Sequence, residues 1–84
     1  MKPYIDIERT DEYIIREFGQ NIDPIELMWH RDDEDRLIQV IENKDWKIQL
    51  DNELPVLLDK VFIPKHKWHR LLKGEGNLKI KIIL

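Results

Sequence analysis

Apolar and polar residues alternate with a period of two along most of this chain. The C-terminal end is the clearest case: Leu78, Ile80, Ile82 and Leu84 alternate with Asn77, Lys79, Lys81 and Ile83, the pattern of a strand with one buried face. Arg36 to Glu42 reads the same way, with Arg36, Ile38 and Val40 facing one side and Leu37, Gln39 and Ile41 the other. From Asp45 to Asp51, Trp46, Ile48 and Leu50 share a face. Lys60-Val61-Phe62-Ile63 and Trp68-His69-Arg70-Leu71-Leu72 are further β-prone runs, parted by a turn at Pro64-Lys65-His66-Lys67 because proline cannot donate to a central ladder. Hairpin turns are expected at Asn43-Lys44-Asp45, with Asn43 taking the positive φ, and at Gly74-Glu75-Gly76-Asn77. Asp51 to Pro55 reads as a longer loop.

The N-terminal third admits two readings. Thr10-Asp11-Glu12 could cap a two-turn helix that Gly19 ends. Alternatively, Tyr13-Ile14-Ile15-Arg16-Glu17-Phe18 is a strand with adjacent β-branched residues at its centre, and we read it so. Seven or eight short strands, with turns about every 8–12 residues, predict an all-β domain over residues 1–84, a small antiparallel barrel or sandwich. One short motif repeats: Trp29-His30-Arg31 recurs as Trp68-His69-Arg70.

Composition narrows the chemistry. The 84 residues include no cysteine, which excludes a disulfide framework, a thiolate zinc site and a cysteine nucleophile. Any metal must be held by histidine or carboxylate. No run approaches the roughly 18 apolar residues of a membrane span, and Met1 to Asp6 lack the apolar stretch of a secretion signal. A cytoplasmic protein without a membrane partner is therefore expected. The net charge of −3 hides an asymmetry: Asp32-Asp33-Glu34-Asp35 is acidic, whereas Lys60, Lys65, Lys67, Arg70, Lys73, Lys79 and Lys81 make the last third basic. That is too little for a nucleic-acid surface, and no nucleic-acid partner is expected.

If Ile25 to Asp32 is a strand, Glu26, Met28, His30 and Asp32 lie on one face, and Ile25, Leu27 and Trp29 on the other. Side chains two apart on a strand sit about 6.5–7 Å apart and point the same way, so His30 and Asp32 can converge on one atom. A third ligand must come from another strand, and His69 is the candidate. Two imidazoles and one carboxylate leave open positions on iron, manganese, nickel or zinc. Periodicity alone favours the opposite parity, with Ile25, Leu27 and Trp29 in the core and His30 and Asp32 in solvent.

The run His30-Arg31-Asp32, three residues, Arg36, six residues, Asn43 resembles the first cupin motif. Leu58-Asp59, four residues, Pro64, then His69 resembles the second, with His30, Asp59, Ile63, Pro64 and His69 matching by identity. Asp32 stands where the motif has a second histidine, Arg36 where it has a glutamate, and Asn43 and Leu58 where it has glycines. A carboxylate can replace an imidazole as ligand; a guanidinium cannot ligate and repels a divalent ion. The chain also resembles small cupin-like phage proteins in its Trp-His-Arg-Asp and Trp-His-Arg segments. Its His-x-Asp…His order is similar to that of iron and 2-oxoglutarate oxygenases, in the triad alone.

The resemblance implies a cupin-like β-barrel or jelly roll with His30, Asp32, Arg36 and His69 lining a pocket. That pocket would take a small molecule and a divalent metal, the latter on His30, Asp32 and His69. Arg36 would pair with Asp32 or offer its planar fork to a ligand carboxylate or phosphate. Ile25, Leu27 and Trp29 would then lie on the outer surface and form a homodimer contact. The alternative is a metal-free structural or interaction module acting through that surface. His66 reads as a surface turn residue, Trp46 as core, and Trp68 as core or interface.

Overall fold

The computed structural model describes residues 3–24 and 27–84, which form eight strands. These are β1 (Tyr4–Arg9), β2 (Tyr13–Phe18), β3 (Arg36–Lys44), β4 (Lys47–Leu50), β5 (Val56–Leu57), β6 (Lys60–Ile63), β7 (His69–Leu72) and β8 (Glu75–Ile83). One antiparallel sheet runs β1-β2-β8-β3-β6 and a smaller one β5-β4-β7. Strand pairing stays within each sheet, so among the described residues the sheets do not close into the single barrel expected from the resemblance. No described helix is long and apolar enough to cross a membrane.

Tyr13 to Phe18 is a strand. Thr10 acts as a cap all the same: its hydroxyl accepts from the amides of Glu12 and Tyr13, at 3.1 Å each, and so turns β1 into β2. The competing helical signal was a genuine capping residue serving a hairpin.

Both expected hairpins prove to be crossings between sheets. β3 and β4 lie in different sheets, as do β7 and β8, so Asn43-Lys44-Asp45 and Lys73-Gly74 carry the chain from one layer to the other. Asp45, not Asn43, takes the positive φ, at 65°. The Asn43 side chain is occupied instead. Its Nδ2 donates to the carbonyls of Trp46 (3.1 Å) and Leu58 (2.9 Å), and its Oδ1 accepts from the Trp46 amide at 3.0 Å. Gly74 passes so close to the backbone of Lys44, Asp45 and Trp46 that a Cβ would collide with it, which binds the two crossings together.

The inner faces carry the expected alternation. Ile14 and Phe18 of β2, Ile38 of β3, and Leu78, Ile80 and Ile82 of β8 are buried against Trp46, Ile48, Leu58 and Ile63. Leu84 lies beyond β8 and is exposed. Trp46 is fully buried, and its indole Nε1 donates to the Gly76 carbonyl at 3.1 Å, so the largest core side chain leaves no polar atom unpaired.

Candidate functional site

At one end of this core the inner faces change character. On β2 the inward positions are Ile14, Arg16 and Phe18, and on β3 they begin with Arg36 before Ile38. On the smaller sheet Leu50 pairs with His69, and His69 with His30. Charged and imidazole groups thus replace aliphatic ones where the two sheets face each other.

Leu27 to Asp32 is not a strand. The Leu27 amide donates to the Pro24 carbonyl at 3.0 Å, and the only ladder contact from Leu27 to Asp32 is a β-bridge at His30. Without a continuous strand the alternation fails in part. Leu27 packs against the core, Met28 is 70% exposed, and Trp29 lies outward. The outer apolar patch expected from Ile25, Leu27 and Trp29 therefore loses Leu27; Ile25, like Glu26, lies outside the described residues. His30 and Asp32 still turn toward His69.

The bridge is reciprocal. The His30 amide donates to the His69 carbonyl at 3.0 Å, and the His69 amide to the His30 carbonyl at 2.9 Å. Asp32 is held in turn, because its carbonyl accepts from the His66 amide at 2.7 Å. Asp35 accepts from the Lys65 amide at 2.8 Å, so the acidic run is tied to the proline turn rather than merely solvated. His66 is exposed at φ 66°, near Asp33, as a surface turn residue.

The imidazoles are oriented alike. Nδ1 of His30 lies 3.1 Å from the Met28 carbonyl, and Nδ1 of His69 lies 2.8 Å from the Lys67 carbonyl. A carbonyl only accepts, so each Nδ1 carries a proton, and a neutral ring in this orientation presents its lone pair on Nε2. His69 is buried, and that burial pulls its pKa below the ordinary histidine value; the neighbouring His30 and Arg36 act in the same direction. The Lys67 carbonyl and Asp32 oppose the shift without reversing it. His69 is neutral at pH 7, as a ligand must be.

One donor atom each from His30, Asp32 and His69 lies within 4.8 Å of the other two. His69 Nε2 is 3.5 Å from Asp32 Oδ2. Metal–ligand bonds of about 2.0–2.2 Å would require these donors to draw together by roughly an ångström. Exposed His30 and half-buried Asp32 have that freedom. The donor set fits a divalent ion, with Arg36 as an unusual neighbour whose Nε is 3.9 Å from the same Asp32 oxygen.

These groups line a funnel. An outer cleft of about 300 Å³ is bounded by Tyr4, Phe18, Leu27, Met28 and Leu71, and an inner part of about 80 Å³ reaches Arg36, His69, Ile38 and Ile80. Arg16, His30 and Asp32 border both. Arg16 went unread in the sequence, although a charge between Ile14 and Phe18 on a buried face was the available signal. It is clasped by Asp6 (2.7 and 3.2 Å) and lies 3.7 Å over the Tyr4 ring. Gln49 faces away, bonded to Arg70 and to the Glu53 carbonyl.

No family model and no curated protein matches this chain by sequence. Solved structures match its shape. An RmlC-like cupin family protein with a double-stranded β-helix fold, from Methanocaldococcus jannaschii, superimposes with a TM-score of 0.66 at 13% identity, over 99% of this chain and 80% of its own. The fold is cupin-like. Structures of DMSP lyases (TM-score 0.71, 16% identity, 84% of this chain) and of Fe(II)-HppE with an alternative substrate (0.68, 17%, 95%) share it. This cupin-like chain spans only 36% and 47% of those proteins' lengths.

Proposed function

We propose that this cupin-like protein binds a small molecule in the funnel, beside a divalent metal ion held by His30, Asp32 and His69. The observation that carries the proposal is the convergence of three donors from two remote segments, with both imidazoles anchored through Nδ1. Such anchoring is what metal-ligating histidines need from their surroundings. The iron in the name of Fe(II)-HppE, which shares the fold, supports the reading. Bound there, the ion would supply a Lewis-acidic centre with open positions. The chain's own groups orient the ligand: Arg16 and Tyr4 wall the mouth, and Phe18 and Leu71 exclude water.

Elemental mass spectrometry on untagged protein tests this. The wild type is expected to carry a stoichiometric divalent ion, lost in His30→Ala and His69→Ala. His30 is exposed, so its variant tests ligation with little effect on the core. Equal metal content in wild type and both variants, or none after reconstitution, would refute the reading.

The alternative, a metal-free interaction module of the phage accessory type, is favoured by one observation: Arg36 stands at the glutamate position and lies beside Asp32. A homodimer through the outer face belongs to either reading, supported by the exposure of Trp29 (39%) and Trp68 (45%). A monomer by light scattering at high concentration would remove the dimer. A pull-down partner that depends on Trp29, without bound metal, would favour the module.

A further inference from the structure

We propose that the molecule bound in the funnel is a small carboxylate, gripped by Arg36 with its apolar tail toward the mouth. The inference rests on the ligand-binding reading above and specifies its chemistry.

The inner pocket holds two guanidinium groups in different states. Arg16 is satisfied: Asp6 takes it through two hydrogen bonds and Tyr4 lies under it. Arg36 is not. Its side chain is a quarter exposed, and its one ion pair is Asp32 Oδ2 at 3.9 Å, beyond hydrogen-bond length. Its guanidinium forms no hydrogen bond with another described residue and is left to solvent. A guanidinium offers five N–H groups in a planar fork, matched best by a second planar group with two oxygens. Asp32 does not fully provide this, because its Oδ2 stands 3.9 Å from Arg36 Nε, too far for a hydrogen bond.

A divalent ion on His30, Asp32 and His69 sharpens the imbalance. It would engage Asp32 and leave Arg36 as a second uncompensated positive charge over an apolar floor of Ile38, Ile80 and Ile82. Charge in such surroundings demands a counter-ion. The inner space of about 80 Å³ admits a head group of a few heavy atoms, while the wider outer cleft, edged by Phe18, Leu27 and Leu71, suits a short hydrocarbon tail. Inorganic phosphate shares the charge but not the planarity.

The test is calorimetric titration of the full chain, metal-free and Zn(II)-loaded, with butyrate, inorganic phosphate and butan-1-ol. Butyrate is expected to bind wild type more tightly than either other probe. Arg36→Gln should weaken butyrate binding about tenfold or more while keeping its zinc. Arg36→Lys, which retains the charge and loses the fork, should fall between them, and it serves as the test if Arg36→Gln fails to fold. Equal butyrate affinity in the folded variant, tighter binding of phosphate or butanol, or no butyrate binding by wild type would overturn the proposal. Zinc stoichiometry reports separately on the metal: butyrate binding that depends on Arg36 in a chain that takes no zinc would refute the metal centre and leave the carboxylate site standing.

Discussion

His30 and His69 face each other across an antiparallel bridge, with ring centroids 4.2 Å apart at an interplanar angle of 61°. Each is the centre of a Trp-His-Arg triplet. Antiparallel pairing of the centres sets each triplet's tryptophan beside the other's arginine. Arg70 lies 4.9 Å from the Trp29 ring, and Arg31 lies 5.5 Å from the Trp68 ring. The repeat is a clasp closed from outside while the histidines point inward.

The clasp should be measurable as a coupling. A double-mutant cycle of Trp29→Ala and Arg70→Ala in urea denaturation is expected to give about 0.5–1 kcal/mol, the usual worth of an exposed cation–π pair. Additive effects would mean that the contact contributes nothing. If His30 and His69 hold the metal as proposed, Zn(II) affinity should fall in the double variant, because the clasp supports the bridge that aligns the two histidines.

Asn43→Ala should be among the most damaging polar substitutions. It removes three hydrogen bonds, two to the Trp46 backbone within the β3–β4 crossing and one to the Leu58 carbonyl, for an expected loss of about 2–4 kcal/mol. At about 4–8 °C per kcal/mol for a domain of this size, thermal melts will show it clearly. Asn43→Asp keeps the acceptor for the Trp46 amide but sets a carboxylate oxygen against the Trp46 and Leu58 carbonyls, and should destabilise at least as much.

The glycines should separate sharply. Gly74→Ala puts a methyl group into the backbone of Lys44, Asp45 and Trp46, and it should prevent folding or cost more than about 3 kcal/mol. Gly76→Ala, at φ +67°, should cost about 1 kcal/mol. Gly19 has open space, and Gly19→Ala should be neutral or stabilising by a few tenths to about 1 kcal/mol. Chemical denaturation of the three variants orders them.

Stability of the metal-free protein should fall on mild acidification. Burial above all lowers the His69 pKa, so the unfolded chain takes up a proton near pH 6.5 that the folded chain accepts only at lower pH. The contribution is complete above about pH 6.5 and declines as pH falls toward the folded value, with a slope of at most about 1.4 kcal/mol per pH unit. Urea midpoints from pH 7.5 to 5 should show this, and His69→Gln should flatten that part of the profile. An unchanged slope in the variant would place the titration elsewhere.

Much of the fold is legible in the alternation of Leu78, Ile80 and Ile82, and of Trp46 and Ile48, because a strand half-buried on a core must alternate. The convergence of His30, Asp32 and His69 is legible too, since histidine and carboxylate at these spacings have few partners in a chain without cysteine. The parity of Leu27 to Trp29 is not, because these residues form no continuous strand on which parity could depend. Asn43 is recognisable as a special residue, but its role is not, because a side chain that suits a left-handed turn also suits bridging three backbone groups.

The sequence by itself determined the strands over Arg36 to Glu42, Lys60 to Ile63 and the C-terminal run, the apolar faces carrying Trp46 and Ile48 and Leu78, Ile80 and Ile82, and that His30, Asp32 and His69 are the available donors. Tertiary structure alone decided that β3–β4 and β7–β8 cross between sheets, that the Trp-His-Arg triplets pair, and that Arg16 and Arg36 share a pocket. The reason is the range of the forces. Side-chain alternation is a local steric property of each strand, whereas sheet membership and register depend on hydrogen bonds between residues tens of positions apart, such as His30 and His69.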